Sequence, residues 1–212
     1  MRIAIIEAGR VGAALAQGLR GKGHVVTLGV RDAGRPDLQA VAQATQASLA
    51  GPAEAAQVAE IVILALPWDA ADAAVTALGD LSGKIVIDCM NPIGRVDGAP
   101  GLLIGHASSG GETVAGWLPG ARVVKTLNQV GAEIMADARA LRHLPAMFMA
   151  GDDAAAKMTV ANLLADLGFE PLDAGGLRQA RTLEPLAMVW INQAILRGKG
   201  RHWAFTITTA GD

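Results

Sequence analysis

Two glycines three residues apart, Gly9 and Gly12, and two arginines four residues apart, Arg31 and Arg35, are the residues whose types and spacing suit a phosphorylated nucleotide. In the pattern G-x-G-x-x-G the first glycine makes a tight turn, the second lets backbone approach a pyrophosphate, and the third lets a helix pack closely on a strand. Gly9 and Gly12 fill the second and third places, and Glu7 stands at the first. A glutamate there adds bulk to the turn and negative charge beside an anionic ligand. Gly9, Arg10, Val11 and Gly12 are the expected phosphate holders. Arg31 closes the apolar run 25–30, where an acid would bond the ribose hydroxyls of NAD. An arginine instead offers paired hydrogen bonds to a 2′-phosphate, so Arg31 with Arg35 points to NADP. The plainer reading is two solvated loop arginines, one of them neutralised by Asp32.

These residues need elements to hold them. Residues 2–6 are a short apolar run that reads as a strand, and Val11, Ala14, Leu15, Gly18 and Leu19 follow at helical spacing. Gly21 and Gly23 stop that helix before a second strand over 25–30. Strand, turn, helix and strand in this order set a helix N-terminus, with its free N–H groups, beside the strand end. Residues 36–47 and 53–59 read as helices, and 61–66 as a central strand buried on both faces. Ligands of a doubly wound sheet lie at the carboxyl ends of strands, so Pro67 and Trp68 are expected to wall the nicotinamide pocket, and Leu66 beside them is a further cofactor-binding candidate. The alternative for 67–69 is a strand stop and helix start, with Asp69 near the N-cap.

Strands over 84–88 and 121–125 deliver Asn91, Pro92 and Asn128 to the same edge. Residues 94–120, rich in glycine and serine, show no period and read as a long loop of the kind that often serves as a lid. A strand over 144–150, a helix ending at Leu167 and closed by Gly168, and a strand over 169–173 complete the sheet. Residues 178–196 form a long helix, apolar enough that it is expected to be buried on most sides, against the core and against a second subunit. The expected fold is α/β: a Rossmann-type doubly wound, mainly parallel sheet over residues 1–173, with a small C-terminal helical part over 174–212 as a dimer interface. The tail after residue 198 has no role legible in its pattern.

Composition narrows the classes. The chain has 212 residues, a formal net charge of −2 and no run of lysines or arginines, which excludes a basic field for nucleic acid. It is 51% hydrophobic without an apolar run of about 18 residues, so a buried parallel sheet is expected rather than a membrane span. A single cysteine, Cys89, rules out an internal disulfide and suits a reducing cytoplasm; within the run 85–90 it reads as core rather than nucleophile. No signal peptide is expected, and His24, His106, His143 and His202 are scattered, without a catalytic or metal-binding arrangement.

Several segments, in order, resemble the NADP-dependent reductases of the deazaflavin coenzyme F420, which are related to the cytosolic domain of six-transmembrane metalloreductases. They are residues 3–12, Leu28-Gly29-Val30-Arg31-Asp32, Leu66-Pro67-Trp68, Asp88 through Asn91-Pro92, the run 123–128, Gly151-Asp152-Asp153, residues 171–175 and Leu183-Glu184-Pro185-Leu186. The resemblance implies NADP, direct hydride transfer to a stacked deazaflavin, flavin or similar planar acceptor, and a homodimer or larger oligomer. Such chemistry rests on positioning two cofactors rather than on an acid–base pair. In this sequence Val30 and Asn128 stand where members often carry a hydroxyl residue and a histidine. A dinucleotide-binding protein without turnover is the alternative that Glu7 motivates.

Overall fold

In the computed structural model, which describes residues 1–210, the sheet grows outward from β1 (Arg2–Ile6). The Gly9 turn leads into α1 (Arg10–Leu19) and back to β2 (Val25–Gly29), followed by α2 (Pro36–Thr45), β3 (Ser48–Ala50), α3 (Pro52–Val58) and β4 (Ile61–Leu64). Next come α4 (Trp68–Thr76), β5 (Ile85–Asp88), the hairpin β6 (Ile93–Val96) and β7 (Ala99–Leu102), α5 (Gly110–Trp117) and β8 (Arg122–Lys125). The chain closes with α6 (Ala132–Ala136), β9 (Ala146–Gly151), α7 (Ala154–Leu167), β10 (Glu170–Asp173) and α8 (Ala180–Ile191). Eight strands lie in the order β10-β9-β8-β5-β4-β1-β2-β3, parallel except where β8 meets β9. Strand order reverses between β1 and β4, the switch point where doubly wound sheets hold ligands.

The continuous apolar strands follow from cover on both faces. Ile3, Ile5, Ile61, Ile63, Ile85 and Ile87 point into one core with Leu15 and Leu19 of α1 and Leu163 and Leu164 of α7. Ala4, Ile6, Val62, Leu64 and Val86 point into the other, against Ala71 and Val75 of α4 and Val114 of α5. Alternation along each strand thus divides two apolar faces rather than an apolar and a polar one.

Two expectations are corrected. The expected loop over 94–120 contains the β6–β7 hairpin and α5. Asp97 and Gly98 turn the hairpin with φ of 51° and 81°, and an Asp-Gly pair is suited to such a turn. Helix α5 is capped by Ser109, whose Oγ accepts from Glu112 N at 3.1 Å and donates to the Glu112 carboxylate at 2.7 Å. Within the single chain the C-terminal helix packs on the core along one face, through Ala180, Leu183, Glu184, Ala187 and Trp190, and Val189, Ile195 and Leu196 are exposed. It also loosens into a π turn over Asn192–Leu196. The short edge strand β3, too brief to show a period, joins the sheet beside β2.

The segment after α8 folds back. Trp190 and Trp203 stack at 5.7 Å, Phe205 meets Trp203 edge-on, and the Phe205 carbonyl accepts from Ala146 N at the start of β9. Gly211 and Asp212, the end of the expected C-terminal part, lie outside the described residues. No helix among the described residues is long and apolar enough to cross a membrane.

Candidate functional site

The Gly9 turn is closed by Glu7, whose backbone has φ of 78°, the left-handed conformation that glycine adopts without cost. Glu7 N donates to the Gly29 carbonyl at 3.0 Å, tying the turn to β2. A Cβ on Gly12 would fall 2.0 Å from the Glu7 carbonyl oxygen, whereas one on Gly9 would meet nothing nearer than Glu7 Cγ at 3.9 Å. Gly12 is thus required by helix–strand packing, and the space at Gly9 lies open toward solvent. Gly12→Ala should cost about 1–3 kcal/mol by overpacking. Denaturant unfolding checks it, and an unchanged midpoint would mean that α1 can shift freely. Glu7→Gly removes a left-handed side chain worth roughly 1–2 kcal/mol of strain, part of it offset by added freedom in the unfolded chain. A rise of about 2–4 °C in melting temperature is expected from a net gain near 1 kcal/mol, and no rise would show a relaxed turn.

Two cavities meet at Glu7 and Arg31. The first, about 430 Å³, is lined by Glu7, Gly9, Arg31, Asp32, Arg35 and Asp37 among others. The second, about 370 Å³, is apolar: Ile6, Pro52, Leu66, Ala70, Ala73 and Ala74 form much of its wall, and Arg31 stands at its rim. A polar cavity with two guanidiniums beside an alanine-lined slot fits the 2′-phosphate, ribose and adenine of an NADP molecule. The guanidiniums are not equivalent. Arg35 is held by Asp37 through bonds of 3.1 and 2.6 Å, and this pairing raises the Arg35 pKa and lowers that of Asp37. Arg31 is exposed and makes no hydrogen bond or ion pair among the described residues. The slot residues Pro52, Ala70, Ala73 and Ala74 were not singled out from the sequence. The signal for the alanines is small residues at helical spacing directly after Leu66-Pro67, which also suits plain core packing.

The other expected residues lie further along the edge. Arg10 is bonded to Glu133 at 2.6 Å, and Val11 is half-buried against the α1-side core. Pro67 is the N-cap of α4, with Trp68 and Asp69 in its first turn. Trp68 is half-buried and stacked on Trp117 at 5.5 Å, and both it and Pro92 lie against Gly110, within 3.2 Å of where a Cβ there would sit. Asn91 and Asn128 are brought together: Asn91 donates to the Asn128 carbonyl at 2.9 Å, and Asn128 donates to Asn91 Oδ1 at 3.0 Å and to the Leu183 carbonyl at 3.1 Å. Leu66 borders the apolar slot, so the structure gathers Gly9, Arg31, Arg35 and Leu66 at one end and Trp68, Asn91, Pro92 and Asn128 at the other. Of the histidines, His24 bonds Asp166 through Nε2 at 3.0 Å. Burial pushes the Cys89 thiol pKa well up, as for an inert core residue.

Beneath the second group lies a charge cluster that sequence reasoning missed. Lys125, fully buried, bonds Asp88 at 3.0 Å, Glu184 at 2.9 Å and the Met90 carbonyl. Met90 N donates to Asp88 at 2.9 Å, and Gly110 N and Gly111 N donate to Glu184 at 2.9 and 3.0 Å. A Cβ on Gly110 would lie 3.0 Å from the Glu184 carboxylate, so glycine there lets the acid reach the start of α5. The cluster clamps β5, β8, α5 and α8 together under Asn91 and Asn128. Burial works to lower the Lys125 pKa, but Asp88 and Glu184 outweigh it and the net direction is upward.

A parallel sheet in this order, with a glycine turn at its switch point and a two-arginine cavity beside it, defines a dinucleotide-binding α/β protein of the Rossmann class. The family model for NADP oxidoreductase, coenzyme F420-dependent, matches residues 2–92. A crystal structure of a proposed F420-dependent NADP-reductase from Arthrobacter sp. FB24 is 35% identical, with a TM-score of 0.90 over 99% of this chain and 100% of that one. A hypothetical protein from Sinorhizobium meliloti, SMa0349, is 31% identical with a TM-score of 0.71, covering 85% of this chain and 88% of that one. The rat metalloreductase STEAP3 is 28% identical over 188 residues, 88% of this chain but 36% of the relative's length. The chain belongs to the family of coenzyme F420-dependent NADP oxidoreductases, and is an NADP-dependent oxidoreductase.

Proposed function

We propose that the protein transfers hydride between NADP(H) and a planar acceptor, a deazaflavin or flavin, bound across the carboxyl edge of the sheet. The single observation that carries the cofactor half is the meeting of a two-arginine cavity with an apolar slot at Arg31. In this reading Gly9, Arg10, Val11 and Gly12 receive the pyrophosphate, Arg31 with Arg35 the 2′-phosphate, and Leu66 with the α4 alanines the adenine. Pro67, Trp68, Asn91, Pro92 and Asn128 border the nicotinamide. The nicotinamide supplies the hydride when bound, and the protein's part is alignment and exclusion of water, with no acid–base residue required. The paired amides of Asn91 and Asn128, locked by the Leu183 carbonyl, support a rigid edge for that alignment.

The family description favours a deazaflavin as acceptor. The deciding experiment is anaerobic oxidation of NADPH, and separately NADH, with a deazaflavin, a free flavin and a ferric chelate. Saturable NADPH oxidation with a planar carrier supports the reading. Tight NADPH binding with no oxidation by any carrier would leave the non-catalytic alternative, which the presence of Glu7 in the lining of both cavities favours. The exposed Val189, Ile195 and Leu196 support a homo-oligomer, and one buried free cysteine suits a cytoplasmic setting.

A further inference from the structure

We propose that Arg201, in the segment after the last helix, is a ligand for the cofactor's pyrophosphate and shares that task with Arg10. The inference rests on the reading that the Gly9 turn receives the pyrophosphate. Two guanidiniums from opposite ends of the chain converge on one carboxylate: Glu133 Oε1 accepts from Arg10 at 2.6 Å and from Arg201 Nε at 2.9 Å, and Glu133 Oε2 accepts from Arg201 Nε at 3.0 Å. Two cations on one anion leave an excess positive charge directly beside the first residue of α1, where free N–H groups and the helix dipole add to it. Arg10 is 71% exposed and Arg201 is 29% exposed, so both can be reached from solvent.

The segment carrying Arg201 is held in place rather than trailing. Its guanidinium lies 5.5 Å over the Trp190 ring, Trp190 Nε1 donates to the Trp203 carbonyl at 3.0 Å, and Lys199 lies 4.7 Å over Trp203. These contacts order the segment without neutralising Arg201, for which Glu133 is the one carboxylate partner among the described residues. A pyrophosphate offers more charge and more acceptor oxygens than Glu133, and planar guanidiniums match it well. Its arrival exchanges a shared carboxylate for a shared diphosphate.

The test is equilibrium binding of NADPH, NADH and adenosine 2′-monophosphate to the full chain and to Arg201→Gln, Glu133→Gln and Arg31→Ala. Arg201→Gln should weaken NADPH and NADH alike, by about fivefold to tenfold for one lost charged contact, and leave adenosine 2′-monophosphate, which lacks the pyrophosphate, unchanged. Glu133→Gln should hold or raise dinucleotide affinity, since it removes the competing anion and spares the arginine. If Arg201 merely anchors the segment through Glu133, the two glutamine variants will lose affinity together, which overturns the proposal. Unchanged dinucleotide affinity in Arg201→Gln overturns it too, and if Arg31→Ala still shows its selective loss of NADPH, the underlying cofactor reading survives. A native chain that binds none of the three ligands defeats both.

Discussion

Arg31→Ala is expected to lower affinity for NADPH by about tenfold to a hundredfold while leaving NADH nearly unchanged, the value of one or two charged hydrogen bonds to phosphate. The weight falls on Arg31 because its neighbour is occupied. Arg35 is gripped by Asp37 on two bonds, so part of its charge and two of its five donors are already spent before a 2′-phosphate arrives. The cavity holds three acids, Glu7, Asp32 and Asp37, against two arginines, so a 2′-phosphate enters against a small negative balance. Asp37→Asn should therefore tighten NADPH several-fold by freeing Arg35, and salt should weaken NADPH more steeply than NADH. Equal losses for the two nucleotides in Arg31→Ala would remove Arg31 from the 2′-phosphate site.

The second large effect is on stability. Lys125→Met leaves Asp88 and Glu184 buried without their cation, a loss of about 3–5 kcal/mol for breaking a buried ion pair from one side. For a chain of this size that is a fall of roughly 10 °C or more in melting temperature. Lys125→Met with Glu184→Gln should recover part of the loss, because only one buried charge then lacks a partner. The pH dependence has a definite sign. Lys125 has a folded-state pKa raised above its ordinary 10.5, so its contribution is complete below that value and fades only as pH climbs through the higher folded-state value. Lys125 thus adds no slope to stability between neutral and mildly alkaline pH. A melting temperature within a few degrees of the native value in Lys125→Met would show that the cluster is not a clamp.

How much of this was legible in the sequence depends on the range of the interactions involved. Strands β1, β4 and β5 were readable because cover on both faces writes nearly unbroken apolar runs. The β6–β7 hairpin and α5 were hidden under glycine and serine, although Asp97-Gly98 and the Ser109-to-Glu112 spacing are local signals for them. Gly110 and Gly111 weaken the helical pattern for a distant reason, the carboxylate of Glu184 that they must admit. The bonds that Lys125 and Glu184 make in the charge cluster join residues 35 to 74 positions apart, which no local pattern connects. Its one hint was a charged residue at the carboxyl end of each of two adjacent apolar strands, Asp88 and Lys125, which sit opposite each other in register. The turn between β1 and α1 was legible from its glycines, whereas the pairing of Arg35, the tethering of Arg10 and the mutual locking of Asn91 and Asn128 exist only once the elements meet.

The aromatic stacks give the molecule an optical property. With four tryptophans and no tyrosine, its near-ultraviolet absorption arises almost entirely from two indole pairs, Trp68 with Trp117 and Trp190 with Trp203. Rings stacked at 5.5 and 5.7 Å share their excited states, so each pair should give its own coupled circular-dichroism signal. Trp117→Phe silences the pair at the start of α4, and Trp203→Phe the pair beside Arg201. A ligand entering between the two ends can then be followed from either side without an added label.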